Sequence, residues 1–155
     1  MNKIRDMLQR EFIIQDLKAT GKKDVLEELV HVFAEQNGGM DSETMVRVLL
    51  EREKLGSTGI GDGIAIPHGK LAGIEEILVG FGRSRAGVDF NSLDGRPVHL
   101  FFIIMAPDTS SAKYLKVLAK ISRMLKDPKM RKDLLEAASV DDLYRIIETM
   151  DQKIV

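Results

Sequence analysis

The chain has 155 residues, 44% of them hydrophobic and 30% charged, with 23 Lys and Arg against 24 Asp and Glu for a formal net charge of -1. That length suits one domain with a sizeable core, and the balanced charge offers no global attraction to nucleic acid or an anionic membrane. Cysteine is absent, which excludes disulfide stapling, thiolate nucleophiles and cysteine metal sites. The first residues, Met1 to Arg10, interleave charge with no continuous apolar segment of the kind a signal peptide needs. The longest apolar run, Leu100 to Ala106, falls far below the roughly 18 residues of a membrane span, so a soluble cytosolic protein is expected.

Phe12, Ile13 and Ile14, followed by Leu17, predict a first strand, and Val25, Leu26, Leu29, Val30 and Phe33 predict a helix over Asp24 to Gln36, stopped by Asn37-Gly38-Gly39. Asp41 is positioned to cap a second helix reaching about Glu53, with Met45, Val46, Leu49 and Leu50 inward and Arg47, Glu51 and Arg52 outward. Ile64-Ala65-Ile66 reads as a short buried strand that Pro67 ends, with Gly69 turning the chain, so His68 is expected at the mouth of that strand. Strands are predicted at Ile77 to Phe81 and, briefly, at Val88 to Phe90, before an Asp94-Gly95 turn. Val98 to Met105 is apolar on both faces and should be central. Pro107 to Ser111 breaks that run and caps a helix from about Ala112 to Lys126, with Leu115, Leu118, Ile121 and Leu125 on its apolar face. Asp127-Pro128 and Ser139 with Asp142 start two more helices. This alternation predicts a layered α/β domain without repeats or internal linkers.

Among the three histidines, His31 falls inside a predicted helix and His99 inside a predicted strand, where structural or surface roles suffice. His68 stands between Pro67 and Gly69 after a glycine-rich stretch, at the kind of conformationally special position that hosts sites. Gly69-Lys70 is followed by Leu71 rather than Ser or Thr, so there is no nucleotide P-loop, and the dinucleotide fingerprint is broken at Ile64. A cradle for a smaller anion remains possible: the amides of Gly69, Lys70 and Leu71, the hydroxyls of Ser57 and Thr58, and the Arg52 guanidinium could converge on a phosphoryl group carried by the imidazole. Ser57 and Thr58 serve equally well as a turn or cap. Neither a metal-ligand cluster nor a serine nucleophile elbow is present, which leaves covalent catalysis by histidine as the sharp enzymatic option.

Leu55-Gly56-Ser57-Thr58-Gly59-Ile60-Gly61, Gly63 through Leu71 and the upstream Arg52-Glu53 resemble the active-site signature of the fructose/mannitol-type (type 2) enzyme IIA domains of the bacterial phosphotransferase system, and most of all its nitrogen-regulatory branch. Glu27-Glu28-Leu29, Gly95-Arg96-Pro97-Val98 and Asp142-Leu143-Tyr144 are weaker matches, and the similarity extends over nearly the whole chain, residues 1–155. The resemblance implies a single α/β domain, a mixed β-sheet flanked by α-helices on both faces. It also implies a phosphohistidine at His68 filled by the histidine phosphocarrier protein, with no cofactor or metal. In sugar-transporting relatives the group passes on to a cysteine of enzyme IIB; in the nitrogen branch the phosphorylation state regulates target proteins. The absence of a fused permease or enzyme IIB segment favours regulation, with sugar uptake or a binding module without transfer activity as the alternatives. Family members often carry a second histidine early in the helix after the central strand. Here that position holds Tyr114, with Lys116 nearby, and Tyr114 either packs on the helix flank or donates a hydrogen bond beside His68.

Overall fold

The computed structural model describes residues 3–36 and 41–154. Its organising element is the apolar stretch Val98–Pro107, strand β6, whose residues other than His99 are all buried. Among the described residues, six strands form one mixed sheet: β1 (Ile13–Ile14), β2 (Gly59–Gly61), β3 (Ile64–Ala65), β4 (His68–Leu71), β5 (Leu78–Val88) and β6. β5 runs antiparallel along one side of β6, with β1 parallel beyond it; β3 and β4 both run parallel along the other side, with β2 outside β3. The helices are α1 (Lys22–Gln36), α2 (Ser42–Lys54), α3 (Ser111–Leu125), α4 (Pro128–Glu136) and α5 (Val140–Lys153).

Both faces of the sheet are covered, as β5 shows residue by residue. A Cβ added at Gly82 would lie 2.7 Å from Leu29 of α1, so α1 rests directly on this strand. The next residue, Arg83, points the other way and is fully buried. Its Nη1 donates to the Leu134 carbonyl at 3.0 Å and to that of Ala137 at 2.6 Å, satisfying carbonyls that the end of α4 leaves unpaired. Burial holds the Arg83 pKa below its usual value, with the charge of Arg85 acting in the same direction.

The predicted helix starts at Asp41, Asp127 and Ser139 are all observed, each side chain accepting from a backbone N–H of the first turn. The expected stop at Asn37-Gly38-Gly39 lies outside the described residues. Two expectations are corrected. Ile77 to Phe81 and Val88 to Phe90 do not form separate strands: one strand spans Leu78–Val88, with an irregularity between Arg83, opposite Leu100, and Val88, opposite Val98, where Ser84 Oγ accepts from Gly87 N–H. In α3 the buried face is Tyr114, Val117, Lys120, Ile121, Met124 and Leu125, whereas Leu115 is 63% exposed. The face is rotated because Lys120 goes inward to an ion pair with the fully buried Asp151 of α5, which also accepts from the Arg5 amide. No described helix is long and apolar enough to cross a membrane.

Candidate functional site

His68 does not stand at the mouth of a strand. The alignment with β6 continues unchanged through Ile66 and Pro67: Ile64 lies opposite Leu100 and His68 opposite Ile104, four residues further along both strands. The Pro67 carbonyl accepts from Ile104 N–H at 3.0 Å, so proline removes one donor from the ladder without ending the alignment. His68 thus opens β4 on the outer edge of the sheet. Gly69 does not turn; it pairs opposite Met105 and allows α2 to approach, since a Cβ there would fall 2.5 Å from Val48 Cγ1. Val48 is a stiff β-branched residue inside a helix, so a Gly69→Ala chain must shift α2 or β4. That variant is expected to lose about 1–3 kcal/mol of stability in a urea titration.

Two independent hydrogen bonds fix the imidazole. Its Nδ1 lies 2.7 Å from the Ile66 carbonyl, which can only accept, so Nδ1 carries the proton. Its Nε2 lies 3.2 Å from Arg52 Nε, which can only donate, so Nε2 presents its lone pair. The two partners demand the same neutral tautomer. Burial lowers the His68 pKa most, the Ile66 carbonyl works against this, the Arg52 charge lowers it further and the Glu53 charge raises it. The outcome is a pKa below the ordinary histidine value, so the imidazole is neutral at neutral pH.

Arg52 reaches this position from the last turn of α2, where its Nη1 also donates to the Gly56 carbonyl at 2.9 Å. The Tyr114 ring of α3 meets the imidazole edge-on at 5.9 Å between centroids. Burial pushes the Tyr114 hydroxyl up to about 12, so it keeps its proton at any ordinary pH. Lys70 lies on the same side of β4 as His68; its Nζ donates to Ser111 Oγ at 2.5 Å and sits 5.8 Å from the centre of the Tyr114 ring. Arg52 and Tyr114 therefore both meet the neutral imidazole, and Lys70 joins them through Tyr114 and Ser111. An arrangement of this kind can accept a doubly negative group.

The remaining predicted members are brought near but are engaged elsewhere. Ser57 Oγ donates to the Phe90 carbonyl at 3.0 Å and accepts from Gly59 N–H at 3.0 Å. Thr58 Oγ1 donates to the Glu53 carboxylate. Both hydroxyls shape the loop, which is the turn-and-cap alternative. The Ile104 bond to Pro67 sets the strand's alternation, which directs the backbone groups of Gly69 and Leu71 toward β6; of the three expected amides, Lys70's lies on the open edge. His31 is exposed on α1 and His99 Nδ1 donates to the Ser84 carbonyl at 2.8 Å, both in structural or surface settings. A groove of about 620 Å³ between α1 and α2, lined by Lys23, Glu27, Val46 and Arg47 among others, does not reach His68.

Sequence reasoning gave Glu53 and Lys22 no role of their own. The Glu53 side chain is buried, with Lys22 Nζ at 2.9 Å and Thr58 N–H at 3.1 Å from its Oε1. A signal existed: a glutamate in the last turn of one helix and a lysine in the first turn of another both oppose the helix dipole, and each is best explained by a partner.

This mixed sheet with an edge histidine held between a carbonyl and a guanidinium is that of an enzyme IIA domain. The chain belongs to the family described as phosphoenolpyruvate-dependent sugar phosphotransferase system, EIIA 2, whose model matches residues 6–150. Among curated relatives, it is 41% identical over 144 residues to a nitrogen regulatory protein of Bradyrhizobium diazoefficiens, covering 93% of this chain and 94% of that protein. It is 39% identical over 150 residues to the fructose-specific EIIABC component of Bacillus subtilis, covering 97% of this chain but 24% of that longer protein. Among solved structures, nitrogen regulatory protein IIA-Ntr of Neisseria meningitidis superposes with a TM-score of 0.87 at 33% identity, covering 93% of this chain and 98% of the other. IIA mannitol of Escherichia coli gives 0.73 at 25% identity, with 90% and 97% covered.

Proposed function

We propose that this protein is a cytosolic phosphoryl carrier in which His68 Nε2 takes a phosphoryl group from the phosphohistidine of a histidine phosphocarrier protein. The carrying observation is the fixed tautomer: Nδ1–H on the Ile66 carbonyl and a lone pair on Nε2 facing Arg52. When a donor docks, the phosphorus replaces the Arg52 N–H as the partner of that lone pair. The Nε2–P bond forms as the donor's N–P bond breaks, and the electron pair of the broken bond stays on the donor imidazole. The proton remains on Nδ1, where the Ile66 carbonyl supports the positive charge that develops on the ring. Arg52, freed from Nε2, and Lys70 supply charge-assisted contacts to the phosphoryl oxygens, so catalysis is positioning and charge stabilisation.

Incubation with a phosphoenolpyruvate-driven donor system is expected to add the mass of one phosphoryl group, labile in acid and stable in alkali. Absence of the adduct overturns the reading. A regulatory role for the phosphorylation state is supported by the relatives named nitrogen regulatory protein, which match over most of their own length. The fructose-specific relative supports a second reading, relay to an enzyme IIB cysteine. Loss of label from the phosphoprotein to an enzyme IIB at a useful rate would favour that second role.

The lowered His68 pKa gives a pH dependence with a definite sign. Only the neutral ring attacks, and protonation of Nε2 stops it, so the second-order rate of phosphoryl uptake falls on the acid side. Its midpoint is expected below about 6.5, the ordinary histidine value, once the donor's own titration is subtracted. A midpoint at or above that value contradicts the desolvated site.

A further inference from the structure

A closed ring of hydrogen bonds runs from Glu53 to His68 and back. The Glu53 carboxylate receives Lys22 Nζ, the Thr58 N–H and the Thr58 hydroxyl. Held from its amide and side chain, Thr58 offers its carbonyl to Ile66 N–H at 3.0 Å. Ile66 in turn offers its carbonyl to His68 Nδ1 at 2.7 Å. Nε2 meets Arg52, the residue adjacent to Glu53; Arg52 Nη1 bonds the Gly56 carbonyl, and Gly56 N–H bonds the Glu53 carbonyl at 3.1 Å. Pro67 contributes no N–H of its own, so the Ile66 carbonyl is aimed by the anchors on either side of it, Thr58 and Ile104.

We infer that Glu53 is a positioning residue: together with Lys22 it sets the carbonyl that selects the Nδ1–H tautomer of His68, without touching the reacting atoms. The inference rests on His68 being the phosphoryl acceptor for its kinetic consequence, but the tautomer itself can be read without any transfer. The carboxylate receives three donors, two on Oε1 and one on Oε2. A glutamine at that position carries no charge for Lys22 and has one acceptor oxygen, so the ion pair is lost and the Thr58 hydroxyl has to reverse and accept from the new NH2 group. The Thr58 to Ile66 segment then loosens, the two neutral tautomers of His68 approach each other in energy, and part of the population presents a protonated Nε2 that cannot attack.

The experiment uses the full chain. Long-range ¹⁵N–¹H correlation spectra of His68 above pH 7 are expected to show the Nδ1–H tautomer in the parent and a mixture in Glu53→Gln. Single-turnover uptake from a phosphorylated histidine carrier should fall about twofold in its limiting rate, in proportion to the Nδ1–H fraction read from the spectra, with the half-saturating donor concentration unchanged. Leu134→Ala, which weakens the buried core at α4 instead, should keep both the tautomer and the rate, separating the effect from lost stability. Thr58→Val removes the hydroxyl alone and carries the same expectation should Glu53→Gln fail to fold. An unmixed Nδ1–H tautomer in the folded variants overturns the inference. A parent that takes up no phosphoryl group would instead overturn the carrier reading, leaving the spectra to decide this one.

Discussion

The His68→Gln protein is expected to take up no phosphoryl group while remaining folded. Glutamine has no nucleophilic nitrogen, and neither remaining histidine is placed to substitute: His99 is engaged with the Ser84 carbonyl and His31 lies on the exposed side of α1. Residual labelling above background after incubation with the donor system would refute the assignment of the acceptor. The cost to the fold should be small, about 1 kcal/mol at neutral pH, because the side chain lies at the sheet edge and is held there by two hydrogen bonds and one edge-on contact with Tyr114. The pH dependence of that cost is informative. The folded-state pKa of His68 is lowered, so as the pH falls below about 6.5 the unfolded parent binds a proton before the folded one does. The parent therefore loses stability as the pH falls from there through the folded-state value, and the glutamine variant escapes this loss. Urea titrations at pH 7.5 and at pH 5 should show the variant's deficit shrinking in acid; a deficit that grows would contradict the direction of the shift.

The apolar skeleton was legible in the sequence because its signals are local. An aspartate or serine before a helical repeat states where a helix begins, and a run such as Val98 to Met105 states that both faces of a strand are covered. What was not legible depended on buried charge whose partner is far away in the chain. Lys120 reads as a solvent-facing residue until Asp151 is beside it, and without that pairing the α3 face is drawn through Leu115. Arg83 reads as part of a polar loop until the carbonyls at the end of α4 reach it, so one long strand looked like two. Glu53 was similarly passed over beside Arg52, because its partners Lys22 and Thr58 come together only in the folded chain. Pro67 misled in another way. Its missing N–H marks a break in the ladder, but the register with β6 is carried across it by the proline carbonyl, which a sequence does not display. The motif singles out His68 and Arg52, whereas the tautomer of the ring is visible only in the Ile66 carbonyl and the Arg52 N–H that meet it.

Arg52→Lys is expected to slow phosphoryl uptake by about 10- to 100-fold while changing stability little. The substitution preserves one positive charge but not its geometry. In the parent the guanidinium places Nε at 3.2 Å from His68 Nε2 and Nη1 at 2.9 Å from the Gly56 carbonyl, so a single planar fork both closes the end of α2 and faces the nucleophile. An ammonium on a flexible stem cannot hold both contacts in one plane, and when the phosphoryl group arrives it offers a point charge in place of two parallel donors. The loss of one charge-assisted hydrogen bond in a partly buried site is worth about 1.5–3 kcal/mol, which sets the expected range of rate at about 1.4 kcal/mol per factor of ten. Because those contacts strengthen as charge spreads over the phosphoryl oxygens, the limiting rate should fall more than the apparent affinity for the donor protein. Single-turnover measurements across donor concentrations separate the two. A variant with the parent's limiting rate would confine Arg52 to the Gly56 carbonyl and leave Lys70, two residues along β4 from His68, as the cation that meets the phosphoryl group.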